Sequence, residues 1–134
     1  MTRIESERGV LNAPSNKVYE ELSNLNNLEK YLPKEKISNW ESTHSSCSFK
    51  VLGTYTIGLE IAEDSSENLL KYKATDKSPF PFTLSIHLNE TESQQTDSQI
   101  VCEAKLNPML KMMVVKPLKN LFDHIVKKAS EHYS

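Results

Sequence analysis

The chain is short of glycine and cysteine and has no long apolar run, and each shortage excludes a class of function. Only Gly9, Gly53 and Gly58 occur in 134 residues. They are too few and too dispersed for the GxGxxG or GxxxxGK[ST] loops that cradle phosphates, or for a flexible linker. No GxSxG is present to place a serine nucleophile. The two cysteines, Cys47 and Cys102, lie far apart and form no CxxC pair, which argues against a zinc knuckle and suits a reducing compartment. Both read as small strand residues. No apolar run approaches the roughly 20 residues that span a bilayer. The opening Met1 to Arg8 carries charges where a signal peptide places its apolar segment, so a cytoplasmic chain without an integral membrane segment is expected. The net charge of −2 supplies no positive excess, and nucleic acid is not an expected partner. His44, His87, His124 and His132 are scattered, with no HExxH and no Cys/His cluster, so neither a metal nor a cofactor is expected.

What remains is ordinary globular composition: 37% hydrophobic, 25% charged, with Leu, Ile, Val and Phe together about a quarter of the chain. That is enough apolar surface to offset chain entropy in one domain over residues 1–134.

Periodicity divides the chain into three parts. A short first strand before Asn12 leads to Ala13-Pro14-Ser15-Asn16, a helix start with proline near its first turn. Val18, Tyr19, Leu22 and Leu25 then make a one-sided apolar stripe, continued by Leu28, Tyr31 and Leu32 until Pro33 must stop it. Two short helices in succession are predicted. From Lys36 to Leu106 the period falls to two and breakers punctuate it, the pattern of an antiparallel meander. Tyr55, Ile57, Leu59 and Ile61 alternate against polar neighbours. So do Phe80, Phe82, Leu84, Ile86 and Leu88, with His87 on the outward phase. Leu70, Tyr72 and Ala74, Ile100 to Leu106, and Cys47 to Val51 give three further strands. Ile37 and Trp40 fall on opposite faces unless a bulge separates them.

After Asn107-Pro108, a cap and first helical position, the chain reads helical almost to its end. Leu118, Leu121, Phe122, Ile125 and Ala129 form its stripe, and Pro117 is expected to kink or divide it. Met109 to Val115 is apolar nearly all round and must be covered on more than one side, or face a void or a partner.

Strand, two short helices, about six antiparallel strands and a long closing helix make an α+β domain with its helices on one face of a curved sheet of six to seven strands. This order resembles the helix-grip fold of the START, Bet v 1 and polyketide-cyclase (SRPBCC) superfamily. Two features add to the likeness: the Ala13-Pro14-Ser15-Asn16-Lys17-Val18-Tyr19 segment, similar to the "AP…V" opening of the first helix in bacterial members, and the amphipathic C-terminal helix. The resemblance spans nearly the whole chain and includes no catalytic signature.

It implies a hydrophobic pocket between the concave sheet and the long helix, and a non-catalytic carrier or sensor of a small hydrophobic or lipid-like molecule. Inward Tyr55, Ile57, Leu59, Tyr72, Phe82 and Leu84 would line the pocket, with Met109, Met112 and Met113 as a wall able to repack around apolar ligands. Plain core packing is the alternative for the strand residues and the methionines alike. Enzymatic relatives cyclise polyketide intermediates, and here the phenols of Tyr55 and Tyr72 are the inward polar groups, with Glu41 and Asp76 turning inward only if the register slips by one. A third reading follows the members that act as Hsp90 co-chaperones. Residues 107 to 134 carry five lysines against Asp123 and Glu131, a cationic helix that could meet an acidic protein, a second copy of the chain or an anionic membrane surface.

Overall fold

A computed structural model describes residues 1–66 and 68–134. It contains eight strands: β1 (Thr2–Glu5), β2 (Gly9–Leu11), β3 (Ile37–Ser42), β4 (Ser46–Val51), β5 (Tyr55–Ile61), β6 (Leu69–Ala74), β7 (Phe82–Glu90) and β8 (Thr96–Ala104). The helices are α1 (Ser15–Leu22) and α2 (Pro108–His132), with 3-10 segments at Leu25–Tyr31 and Lys34–Lys36. All neighbouring strands run antiparallel, in the order β1-β8-β7-β6-β5-β4-β3, and β2 pairs the start of β8 where β1 pairs its end. This is the α+β helix-grip arrangement: an open, curved sheet with its long helix last in the chain.

β1 and β2 are one edge strand interrupted at Ser6. The Ser6 N–H donates to the Ile100 carbonyl at 2.9 Å, and its Oγ accepts from the Ile100 N–H at 2.9 Å, so the interruption stays tied to β8. At the other edge a bulge between Ser38 and Glu41, with Asn39 at φ 54°, shifts the β3–β4 register. That extra residue turns Ile37 and Trp40 to the same side, and both pack against the core. The Trp40 ring lies 5.8 Å from that of Phe49, nearly parallel.

Each helix start has an identifiable cause. Asn107 accepts from the Leu110 N–H at 2.9 Å, and Pro108 occupies a position whose missing N–H costs nothing. Pro14 offers α1 no side-chain cap; the carboxylate of Glu90, at the end of β7, accepts from the Ser15 N–H at 2.8 Å instead.

Three expectations shift. The second short helix is a 3-10 segment, Leu25–Tyr31, started by the Asn24 side chain accepting from the Asn26 N–H. β8 begins at Thr96, four residues ahead of the strand predicted from Ile100. Thr96 and Ser98 point inward, and Thr96 Oγ1 donates to the Ala13 carbonyl at 2.7 Å, so polar residues on the buried phase mask the strand. Pro117 does not divide α2, which is continuous from Pro108 to His132; the proline removes one helical hydrogen bond, that to the carbonyl of Met113.

Gly58 lets the loop after β6 approach β5 closely. A Cβ there would lie 2.0 Å from Thr75 Oγ1, while Ser78 Oγ accepts from the Gly58 N–H at 2.9 Å and donates to its carbonyl at 3.0 Å. The loop after β6 can fold onto β5 only because this position has no side chain.

Candidate functional site

The concave face of the sheet and the inner stripe of α2 enclose a cavity of about 20 Å³, room for a single water. Its wall comes from the sheet, from α2 and from the first 3-10 segment. Phe49, Ile57, Leu59 and Tyr72 arise from β4 to β6, Phe82, Leu84 and Ile86 from β7, Ile100 and Cys102 from β8, and Leu118, Leu121, Phe122 and Ile125 from α2. Leu28 and Leu32 close one end. Five of the residues predicted for the pocket, Ile57, Leu59, Tyr72, Phe82 and Leu84, therefore share this wall. The remainder of the wall is legible in the sequence only as core stripe.

Tyr72 contributes its ring alone. Its hydroxyl donates a 2.6 Å hydrogen bond to the Leu22 carbonyl, and burial pushes the phenol well above its ordinary pKa. Tyr55, half-buried at the start of β5, is not part of the wall. Its hydroxyl is buried without a partner and its pKa is raised by the same desolvation. Glu41 and Asp76 are exposed and border a shallow outer cleft with Glu60, away from the cavity. Among the described residues the cavity wall holds no carboxylate, imidazole or amine, so a cyclase mechanism finds no general base there.

Met109, Met112 and Met113, expected in the wall, stand instead on the outer face of α2, exposed by 72%, 86% and 58%. The reason is rotational. Leu110, Val114, Leu118 and Leu121 follow helical spacing toward the core, which leaves positions 109, 112, 113 and 116 on the opposite side.

A second depression, of about 240 Å³, adjoins the cavity. Pro33, Glu35 and Lys36 form one side, Val51 and Leu52 at the β4–β5 turn another, and Lys116, Pro117, Asn120, Leu121 and His124 of α2 the third. Leu121 is the residue common to both linings. Leu32 and Pro33 likewise face cavity and cleft in turn, as do Leu118 and Pro117. His124 Nε2 is buried without a hydrogen-bond partner, and desolvation with nearby Lys128 lowers its pKa, favouring the neutral ring. Tyr55 opposes Val51 in the β4–β5 register. Of the two orphan polar atoms found among the described side chains, that of His124 belongs to a cleft-lining residue.

Sequence reasoning passes over this cleft because turn residues carry no period. The one local signal is Leu52-Gly53, both at positive φ as the central pair of the turn closed by the Thr54 N–H donating to the Val51 carbonyl, where Asn-Gly is the favoured pair.

His44 is exposed in its turn, and His132 packs edge-on against Tyr31 at 5.6 Å near the C-terminal end of α2. Tyr31 donates to Glu21, which also pairs with Lys30, a network that pins the first 3-10 segment to α1. Among the described residues no group of three or more potential metal ligands occurs, and no helix is long and apolar enough to cross a membrane.

No protein-family model and no curated protein matches the chain. Solved structures do. The protein XoxI from Bacillus cereus superposes with a TM-score of 0.75 at 14% identity, over 99% of this chain and 96% of that one. Protein CV1439 from Chromobacterium violaceum gives 0.72 at 17%, over 98% and 96%. A START superfamily protein from Mycobacterium smegmatis gives 0.68 at 11%, again over 98% and 96%. At such identities the likeness is one of architecture, and with the sheet order and closing helix described above it identifies the chain as having the START-like, helix-grip fold.

Proposed function

We propose that the protein binds one small amphipathic molecule, its apolar part between the sheet and α2 and its polar end in the adjoining cleft, as a carrier or sensor without catalysis. The observation that carries this reading is Leu121, a single side chain separating a wholly apolar cavity from a cleft whose lining is partly charged. A cavity of about 20 Å³ is far below the roughly 300 Å³ of small-molecule sites, so binding requires that this partition move.

The boundary is suited to moving. Pro117 has removed a hydrogen bond from α2 one turn before Leu121, and the facing walls are a 3-10 segment and a tight turn rather than long regular elements. The cleft then offers the polar end of a ligand Lys36, Lys116 and Glu35 as charges, and His124 Nε2 as an unpartnered atom.

The test is native mass spectrometry of freshly purified protein, followed by titration with cis-parinaric acid, a fluorescent fatty acid. One bound molecule per chain, displaced by unlabelled fatty acid and abolished by Leu84→Trp at the cavity wall, is expected. A clean apo mass together with no uptake of the probe, in wild type and in Leu121→Ala alike, overturns the reading.

A further inference from the structure

The outer face of α2's first two turns lies outside the cavity wall, and of its residues Lys116 alone also lines the cleft. Met109, Met112, Met113 and Lys116 follow the i, i+3, i+4, i+7 spacing that puts them on one side, and the three methionines are largely exposed. Leu52 stands across the cleft from Lys116, 55% exposed at the tip of the β4–β5 turn. Its φ of 56° is a conformation that asparagine or glycine adopts with less strain. The fold thus holds an apolar side chain outward at a position where the turn itself favours a polar one.

The charge along this stretch of chain has one sign, with Glu35 across the cleft the carboxylate that lines it. From Lys105 to Lys119 the chain carries four lysines and no carboxylate, although the whole protein is net negative. Lys105, Lys111 and Lys116 enter none of the ion pairs found among the described residues.

From this we infer that the Met109–Lys116 face of α2, with Leu52, docks on the surface of a bilayer that carries anionic headgroups. Flexible methionines reach into the headgroup region while the lysines meet lipid phosphates. Two other occupants fit less well. A second copy meeting this patch by two-fold symmetry would bring the same lysines from both copies into one interface, and four apolar side chains fall short of the roughly 1,200 Å² a stable interface buries. A protein partner would have to supply a groove for a convex row of side chains, whereas a bilayer needs no matching shape. The inference does not depend on the cavity being occupied.

Vesicle flotation tests it. The protein should float with vesicles of phosphatidylglycerol and phosphatidylcholine at about 0.05 M salt and be released at about 0.5 M. It should not float with phosphatidylcholine alone. Neutralising Lys111 and Lys116 with glutamine should weaken binding about fivefold per lysine. Replacing Met109, Met112 and Met113 with serine should abolish it while circular dichroism and melting remain those of the parent. Leu52→Asn should weaken binding and raise the melting temperature, a pairing that a purely structural role for Leu52 does not produce. Failure to float, equal binding to neutral vesicles, or unchanged binding by the methionine variant overturns the inference. So does a dimer that the methionine variant dissolves in a protein that ignores vesicles.

Discussion

The Tyr72 hydroxyl donates to the carbonyl of Leu22, the last residue of α1. The last carbonyls of a helix have no partner within it, and here the sheet supplies one from a fully buried phenol. Sheet and first helix are therefore joined by a polar contact at each end of the helix, Glu90 at its start and Tyr72 at its close. Tyr72→Phe leaves the Leu22 carbonyl without that donor and should lower unfolding free energy by about 1–3 kcal/mol in urea titrations. Uptake of an apolar probe should persist, because the ring remains in the wall. Loss of uptake with unchanged stability would mean the hydroxyl serves a ligand instead.

Leu121→Ala removes the partition between cavity and cleft. The cost should be about 2–5 kcal/mol, the range for a buried leucine truncated without full collapse of its site. An apolar ligand that fills the space should return part of this as a rise in melting temperature. Denaturant titration with and without ligand measures both.

His124 makes stability depend on pH in a definite direction. Its folded pKa is below the ordinary 6.5, through desolvation first and Lys128 second, with Lys36 and Lys127 adding to the effect and Glu35 opposing it. Between the folded and unfolded values the unfolded chain binds the extra proton. Stability should therefore fall as pH drops through about 6.5 and level off beneath the folded value. His124→Gln should flatten that part of the profile and leave the acid-side loss from carboxylates in place. An unchanged profile in the variant would assign the dependence to another group.

Both thiols should be inert in the folded protein. Cys47 and Cys102 are buried, and desolvation pushes each up to about 12, so almost no thiolate exists at neutral pH. Ellman's reagent should label neither until denaturant is added, then both. Rapid labelling of one in the native state would show that its strand opens locally.

The meander and the closing helix are plain in the sequence because each buries one continuous face, and a buried face leaves a period. The Ile37–Trp40 conflict even marks the bulge that resolves it. The start of β8 is hidden because Thr96 and Ser98 are buried as hydrogen-bonded polar residues, which hydropathy counts as loop. The site is less legible for a related reason. Ile57, Leu59, Phe82 and Leu84 have the pattern of core whether they pack against each other or around a ligand. Met109, Met112 and Met113 read as interior because apolar character alone does not say which side of a helix meets the sheet. Leu110 and Val114 decide that rotation, and their part in it emerges only when α2 is in place.

The two interruptions at the margins of the sheet have a consequence for the protein in concentrated solution. A long, flat strand at an open edge is a template on which a neighbouring chain can add its own strand. Here the bulge at Asn39 breaks the outer row of β3, and Ser6 divides the opposite margin into pieces of four and three residues, with Arg3, Glu5 and Arg8 placed along it. Neither margin presents an unbroken ladder, so the open sheet is protected against strand-by-strand polymerisation without being closed into a barrel.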